Sequence, residues 1–548
     1  MRRILSALIA GALVIGGSSC SGVGQTGETA EQAQFSPERI KADVTFLADD
    51  LLEGRGNGSR GYEIAARFVA ARFAALGLTP GNKGDWFQRV PFAEAKLRPE
   101  APAYLQIGDR KFANGKDILL SATSLYPDQQ ISGDAVFVGY GLDSPAQGFD
   151  DYAGLDVRGK IVVALRGFPP GSPSEMAAHL NSEKERMAQD RGALGLITIH
   201  TPTQEKVSPW ETRRKSAMRP SHAWVVGRDG RPYSAAPNLP LSGSLGPAAA
   251  EALFANAAVP LATVIAQSEK QGGRPKGFPL ASKISAERHS SVTRIASPNV
   301  MGILKGSDPA LANEYILLTA HLDAIGLVEP ENGDAIVNGA MDNASGIATM
   351  LEVARAFKES GTRPKRSIMF VALAGEEKGL LGASYLAKNP VLGNGRIVGL
   401  VNLDMPMLTY DFQDVVAFGA EHSTIGGVVS RAIASANVKL SPDPEPEQVL
   451  FTRTDHYMFV KEGVPAVSLD TGPANGGTAA NAAFIKHRYH KPGDDMRQKF
   501  DWNAAAKFAR INYLIARELA DTEIEPQWYA GDFFGDTFAR DAPKAPKR

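Results

Sequence analysis

Acidic and imidazole side chains recur in the second half of the chain, some directly after a short apolar run and others in the loops that follow. They are His321, Asp323, Asp342, Glu376, Glu377, Asp404 and His490. If folding brings these groups together, their carboxylates repel one another and lose hydration unless cations neutralise them. No cluster of lysines or arginines lies beside these motifs in the sequence. The pattern therefore predicts a site for divalent metal.

The mixture of ligand types indicates which metal. Imidazole nitrogen together with carboxylate oxygen suits zinc ahead of manganese, cobalt or iron, whereas an all-oxygen set would indicate calcium or magnesium. A catalytic zinc takes three protein ligands and leaves a position for water, so five ligands of which one bridges would serve two ions about 3.5–4 Å apart. The sequence predicts two Zn²⁺ per chain.

Spacing also predicts supporting roles within these motifs. Residues two apart on an extended segment face the same side, so Asp323 could hold the second ring nitrogen of His321 and fix its tautomer. The adjacent Glu376 and Glu377 point in different directions. One of them could bind metal while its neighbour handles a water molecule.

The elements that must position these residues alternate along the chain after residue 299. Strands are predicted at 315–319, 367–374, 397–403 and 466–469, and helices at 345–358, 423–436 and 503–519. Such alternation is typical of an α/β fold with a mostly parallel central sheet flanked by helices. Ligands of open α/β sheets bind beyond the carboxyl ends of the strands, which is where the acidic and imidazole residues stand.

The middle of the chain has a different residue pattern. Short apolar runs at 135–139, 160–165 and 194–200 are separated by glycine, aspartate and proline turns, which predicts a small β-rich domain inserted into the α/β unit. The predicted organisation is a signal peptide at 1–20, a linker at 21–34, a first part of the α/β domain at 35–117, the insert at 118–271, the main part at 272–525 and a tail at 526–548.

The amino terminus has the pattern of an export signal. Arg2 and Arg3 precede an apolar run at 4–17, which is too short to span a bilayer comfortably, and small residues then lead to Cys20. This arrangement resembles a bacterial lipoprotein signal in which Cys20 is lipidated. We therefore expect an exported protein of the bacterial cell envelope, held in the periplasm by a lipid anchor at Cys20, with plain cleavage and secretion as the alternative.

Composition excludes several other functions. Cys20 is the sole cysteine, so neither a disulfide framework nor a cysteine nucleophile is available in the body of the protein. The chain has 59 basic and 60 acidic residues, a net charge of -1, which is unlike the basic surface of a nucleic-acid-binding protein. A small or uncharged partner is expected instead.

Taken in order, the motifs resemble a known family. They are His321-x-Asp323, the segment GAMDNASG at 339–346, the segment GEEKGLLG at 375–382, Asn402-Leu403-Asp404 and Tyr489-His490. This set resembles the two-zinc peptidases related to bacterial leucyl aminopeptidase, aminopeptidase Y and glutamate carboxypeptidase. Segments 135–141, 149–152 and 156–162 resemble the protease-associated domain that many members carry as an insertion. The resemblance extends over about residues 36–521 and implies a zinc exopeptidase type of fold.

The resemblance also implies a role for each motif residue. His321 and Asp404 would bind one zinc, Glu377 and His490 the other, and Asp342 would bridge them. Glu376 would be the general base, and Asp323 would orient His321. Two positions depart from the family pattern: Ala324 stands where many relatives have a second histidine, and Met341 stands where an acidic or polar residue is common. Neither departure removes a metal ligand.

These expectations combine into one predicted function. The chain is expected to be an exported metallo-aminopeptidase that acts on peptide substrates with a zinc-activated water and Glu376 as base. Three alternatives stay open: a carboxypeptidase, a glutaminyl cyclase-like acyltransferase on the same fold, and a non-catalytic, receptor-like relative. Retention of a full two-metal ligand set argues against the cyclase, which normally uses one zinc.

Overall fold

The computed structural model describes residues 34–227 and 229–547. The predicted signal peptide with Cys20, and nearly all of the predicted linker, lie outside the described residues. The strands are β1 Thr79–Pro80, β2 Phe87–Leu97, β3 Tyr104–Ile107, β4 Arg110–Ala113, β5 Ile118–Leu119, β6 Asp128–Phe137, β7 Asp143–Ser144, β8 Phe149–Asp150, β9 Ile161–Leu165, β10 Gly195–Ile199, β11 Ser221–Val226, β12 Arg231–Pro232, β13 Leu241–Leu245, β14 Phe278–Leu304, β15 Glu314–His321, β16 Gly326–Glu331, β17 Asp334–Val337, β18 Ser367–Leu373, β19 Arg396–Asn402, β20 Asp414–Phe418, β21 Lys439–Leu440 and β22 Ala466–Thr471.

Helices alternate with these strands along the chain. They are α1 Pro37–Leu47, α2 Arg60–Ala75, α3 Ser174–Ser182, α4 Lys184–Asp190, α5 Pro202–Val207, α6 Trp210–Met218, α7 Pro247–Phe254, α8 Leu261–Ser268, α9 Ser345–Glu359, α10 Leu381–Lys388, α11 Ile425–Ser435, α12 His456–Val460, α13 Gly477–His487, α14 Trp502–Asp521 and α15 Phe533–Phe538. Within the described part of the chain, no helix combines the length and the apolar character needed to cross a membrane.

The main sheet has the strand order β11-β2-β14-β18-β15-β19-β22-β20-β21. Its centre, from β18 through β15 and β19 to β22, is parallel. Every residue of β18 is buried, which is the property of a strand covered by helices on both faces. Helices α1, α2, α9, α11 and α14 contribute to the core on one face, and α10, α12 and α15 cover the other. The predicted α/β fold with a mostly parallel central sheet is confirmed.

A second sheet adjoins the first and shares one strand with it. Its order is β4-β3-β14-β6-β9-β10-β13-β5, with β6, β9, β10 and β13 parallel. Residues 278–289 of β14 pair with β6 in the second sheet, and residues 290–300 pair with β2 in the main sheet. The second sheet therefore begins at β3 and ends within β14, beyond the predicted insert at 118–271 on both sides. The identity of this unit as a protease-associated domain stays a prediction.

The helix α3 joins the second unit to the main one. His179 on α3 is buried, and its Nδ1 lies 2.5 Å from the hydroxyl of Tyr457. Glu175 on the same helix pairs with Nε2 of His422, whose Nδ1 lies 2.6 Å from a carboxylate oxygen of Asp532. Burial alone would lower the pKa of His422, but its hydrogen bonds to Asp532 and Glu175 raise it to about 10. This histidine is therefore a charged link between the two units.

The sign of the pKa shift predicts how stability depends on pH. A pKa raised from its ordinary 6.5 to about 10 gives stabilisation that is complete below 6.5 and is lost as the pH rises through about 10. His422→Gln should therefore lower the melting temperature clearly near neutral pH and much less at about pH 10. Calorimetry at both values, with the exposed His487→Gln as control, checks this. A melting-temperature loss that does not shrink with rising pH would contradict the charged link.

Candidate metal centre

The parallel strands place the predicted residues at one edge of the main sheet. His321 is the last residue of β15, and Asp404 follows β19 by two residues. A short helical turn at Glu376–Lys378 follows β18 and carries Glu377. Asp342 lies in the turn Ala340–Ala344 that leads into α9, and His490 lies in the turn after α13. The chain thus brings all five predicted ligands to the carboxyl ends of the strands.

These five side chains form two groups that share Asp342. In the first group, Nε2 of His321 lies 3.0 Å from Asp404 Oδ1 and 3.2 Å from Asp342 Oδ1. In the second group, Nε2 of His490 lies 3.1 Å from Glu377 Oε2 and 3.5 Å from Asp342 Oδ2. One oxygen of Asp342 therefore faces each imidazole. In each group the possible ligand atoms all lie within 4.8 Å of one another.

The electrostatics of this site favour bound positive charge. Burial alone would lower the pKa of His321, but the carboxylate of Asp404 and its other acidic neighbours raise it well above the usual range. The pKa of His490 is likewise raised, to about 9, against the effect of burial and chiefly by Glu377. Burial would raise the pKa of Asp342, but hydrogen bonds to the two imidazoles hold it well below its usual range. In Glu377, the second carboxylate oxygen is buried and has no hydrogen-bond partner among the described residues.

The spacing predicts that Asp323 holds the second ring nitrogen of His321, and the structure shows that its main-chain oxygen, not its carboxylate, makes this contact. Nδ1 of His321 lies 3.0 Å from the main-chain carbonyl oxygen of Asp323, while the nearest carboxylate oxygen is 3.9 Å away. The carboxylate instead accepts hydrogen bonds from the N–H groups of Glu376 and Glu377 and from the side-chain amide of Asn57, at 3.2, 3.3 and 3.0 Å. Asp323 therefore holds the His321 ring through its main chain and the glutamate turn through its side chain.

Two further residues that the sequence did not single out hold the ligand loops. Asp494 accepts the N–H of Met341 at 2.9 Å and the N–H of Asp342 at 3.0 Å. Arg55 is fully buried and donates to the carbonyl oxygens of Leu322 and Gly339, at 2.8 and 3.0 Å. These contacts fix the main chain from Gly339 to Asp342, just before the shared carboxylate, and tie it to the segment that follows His321. The Met341 side chain is fully buried, as is Ala324, so both departures from the family pattern lie in the core.

A third residue outside the predicted set is Asp455. It is buried, and neither carboxylate oxygen has a hydrogen-bond partner among the described residues. Burial raises the pKa of Asp455 well above the usual range. The charge of His321 opposes this shift and the charge of Asp404 adds to it. Its position just before α12 gave no sequence signal beyond that of an ordinary helix-capping aspartate.

The two groups open into a cavity of about 200 Å³. Glu376 lines it together with four of the five predicted ligands, Asp342, Glu377, Asp404 and His490. The wall is otherwise a mixture of apolar and polar side chains: Met405, Phe418, Leu450, Arg453, Thr454, Ser468, Leu469, Asp470 and Tyr489. Tyr489 stacks on the ring of His490, with centroids 3.7 Å apart. The cavity combines the predicted base, the predicted ligands and room for a small organic group.

Known proteins share this fold and parts of this sequence. The structure of an aminopeptidase from Aneurinibacillus sp. strain AM-1 aligns with 90% of this chain and 95% of its own, with a TM-score of 0.53 and 20% identity. The two proteins therefore share a fold. A probable zinc metalloprotease of Pyrenophora teres f. teres (strain 0-1) is 40% identical over 106 residues, which is 19% of this chain and 22% of the relative. Leupeptin-inactivating enzyme 1 of Streptomyces exfoliatus is 27% identical over 261 residues, 45% of this chain and 53% of the relative.

The family follows from the segment that contains the site. Residues 299–516 match the model of Peptidase family M28, and this domain of the chain belongs to that family. The matched range contains every predicted metal ligand and the predicted base. The curated relatives are matched over only about a fifth to a half of their own length.

The contacts of Asp494 generate a prediction about the loop that carries Asp342. Asp494→Ala leaves two buried N–H groups without an acceptor, each costing about 1–3 kcal/mol. The variant should melt at a lower temperature and lose zinc more readily in a chelator titration. Asp411→Ala is the control, because Asp411 is exposed and pairs with Lys507, and such a surface pair contributes at most about 1 kcal/mol. Equal losses in the two variants would contradict the loop-holding role.

Proposed function

We propose that this protein is an exported, zinc-dependent aminopeptidase that uses two zinc ions. One observation carries the proposal: two groups of imidazole and carboxylate ligands share Asp342 and face one cavity. A structural role would not require such a costly concentration of buried charge beside an open cavity.

The residues present fit zinc on two tests. Each group supplies one imidazole nitrogen and two carboxylates, which are ligand types that zinc accepts, and three protein ligands leave a fourth position for water. Ligand atoms about 2.0–2.1 Å from a tetrahedral ion lie about 3.3 Å apart. The separations here are 3.0 and 3.2 Å in one group and 3.1 and 3.5 Å in the other. His321 and Asp404 would hold one ion, His490 and Glu377 the other, and Asp342 both.

Glu376 performs the proton transfers in the proposed reaction. Bound zinc supplies Lewis-acid polarisation of a carbonyl and lowers the pKa of a water molecule. Glu376 lies beside the ligands in the cavity wall, where its carboxylate accepts the proton of the attacking water and returns it to the leaving amine. Asp323 keeps the Glu376 turn in place through the N–H groups that it accepts.

The charge of the cavity supports cleavage from the amino end of a peptide. When the three carboxylate ligands and the base are assigned, Asp470 is left in the wall as a partner for a free ammonium group. Its pKa is raised to about 7 by burial, and the nearby N–H groups of Thr471 and Met407 oppose this shift. Arg453 is the observation that favours the second candidate, a carboxypeptidase, because a guanidinium would hold a terminal carboxylate.

Export and substrate access complete the proposal. The signal-like amino terminus supports export, with Cys20 as the lipidation site of a periplasmic lipoprotein. The second unit would act as a protease-associated cover for peptide substrates. This role is supported by α3, which contacts the turn Leu450–Thr452, because Leu450 lines the cavity.

A pair of variants separates the base from the bridge. Glu376→Gln should retain two zinc ions per chain and lower turnover by about 10²–10⁴-fold, since it removes only the proton transfer. Asp342→Asn should lower zinc content and melting temperature together, because both groups lose a shared carboxylate. Zinc analysis, calorimetry and peptide hydrolysis of the same preparations check both expectations.

Two results would count against these assignments. Turnover of Glu376→Gln near that of the unmodified protein would reject the base. Two tightly held zinc ions with unchanged melting in Asp342→Asn would reduce Asp342 to a loop residue. A chain that holds no zinc at all would support the receptor-like alternative.

Substrate blocking decides between the two exopeptidase types. With zinc added, the protein should hydrolyse a free peptide and its carboxy-amidated form at comparable rates and the amino-acetylated form far more slowly, because acetylation removes the ammonium charge. The reverse order would identify a carboxypeptidase. Equal hydrolysis of all three forms would contradict an exopeptidase.

A further inference from the structure

A second cavity, of about 280 Å³, lies in the second unit and shares no lining residue with the metal centre. Thr198 of β10 and Ser242 and Ser244 of β13 form its floor on one face of the second sheet, and α4 and α6 border it. The strands β9, β10 and β13 of this sheet run parallel, and Arg166 directly follows β9. The carboxyl end of parallel strands is the usual place for a bound ligand.

Cations outnumber carboxylates in the lining of this cavity. Arg166, Lys184 and Arg213 contribute to it, and Glu185 is the acidic residue among the lining residues. Within the described residues Arg166 forms no ion pair, and its Nε is buried with no hydrogen-bond partner. Arg213 likewise has no carboxylate partner in the described part of the chain. Its guanidinium donates to Ser244 Oγ at 2.7 Å and lies 3.3 Å from Nδ1 of His200.

The positive charges in the cavity repel one another. Burial first, and then the charge of Arg166, lower the pKa of Arg213 to about 9. The pKa of Lys184 is lowered to about 7, first by burial and then by Arg166. Glu185 also lines the cavity, but its hydrogen bond goes to Ser242 and not to these cations. Three cations, of which Lys184 is buried and Arg166 and Arg213 are half-buried, thus face a single carboxylate, and a bound anion would offset the remaining positive charge.

We infer that this cavity binds a compact oxyanion that carries at least two negative charges, a phosphate group or a small dicarboxylate, through Arg166 and Arg213. Guanidinium groups bind both kinds of anion through paired N–H donors. The hydroxyls of Thr198, Ser242 and Ser244 supply further hydrogen bonds to oxygen atoms. The volume equals that of several water molecules, so a small organic anion also fits. This site stands apart from the proposed peptidase chemistry and does not depend on it.

Isothermal titration of the full chain with inorganic phosphate, succinate and chloride tests the inference. Phosphate or succinate should bind saturably and raise the melting temperature, and chloride should not. The tighter of the two identifies the ligand class. Arg166→Gln and Arg213→Gln should each weaken binding by about tenfold or more, because each removes a charged hydrogen bond. Arg214→Gln is the matched control, since Arg214 lies on the same helix as Arg213 but pairs with Glu211.

The melting temperature of the Arg166 variant gives a second test. Without added anion, Arg166→Gln should melt at the same or a higher temperature than the unmodified protein, because it relieves repulsion. Addition of phosphate or succinate should then stabilise the unmodified protein more than the variant. Absence of saturable binding at millimolar anion would overturn the inference. Binding that survives both substitutions would also overturn it, since the anion would then occupy another place.

Discussion

The rest of the site depends on the contacts of the Asp342 carboxylate with two imidazoles. Each of its oxygens faces one imidazole, so it joins four other ligands that come from four separate segments of the chain. Negative charge shared in this way is stable in a buried position only when positive charge lies between the groups. The main chain that leads to Asp342 is held by Asp494, which accepts the N–H of Asp342, and by Arg55, which donates to the carbonyl oxygen of Gly339.

The sequence predicts the fold and the ligands for the same physical reason. Buried parallel strands are continuous apolar runs. The sequence predicts β15, β18 and β19 because each is an apolar run that is followed by polar residues. His321, Glu377 and Asp404 lie at or close after the ends of those runs, whereas Asp342 and His490 lie in later turns. The four strands predicted after residue 299 were displaced at their ends by only a residue or two, because strand ends depend on hydrogen bonding that composition does not encode. The run at 135–139 is only the end of a longer strand, β6, whose first half is more polar.

The supporting residues could not be predicted in this way. Arg55 is far from the ligands in sequence, and a single arginine in a glycine-rich turn has no periodicity that indicates burial. Asp494 looks like any loop carboxylate until its two N–H donors are known. The role of Asp323 was foreseen only partly, since the spacing indicated the right residue and the main-chain oxygen supplies the contact. Tertiary contacts between distant segments carry this information.

The strand β14 has a consequence for how the chain folds. Its second half pairs with β2, so that Val300 lies opposite Phe87, although the whole second unit separates them in sequence. Closing so long a loop is entropically unfavourable unless the intervening segment is already compact. Pairing of β3 with β14 brings the two ends of that segment together. Prior assembly of the second sheet would therefore lower the entropic cost of forming the β2–β14 ladder, so the stability of the smaller unit contributes to closing the larger one.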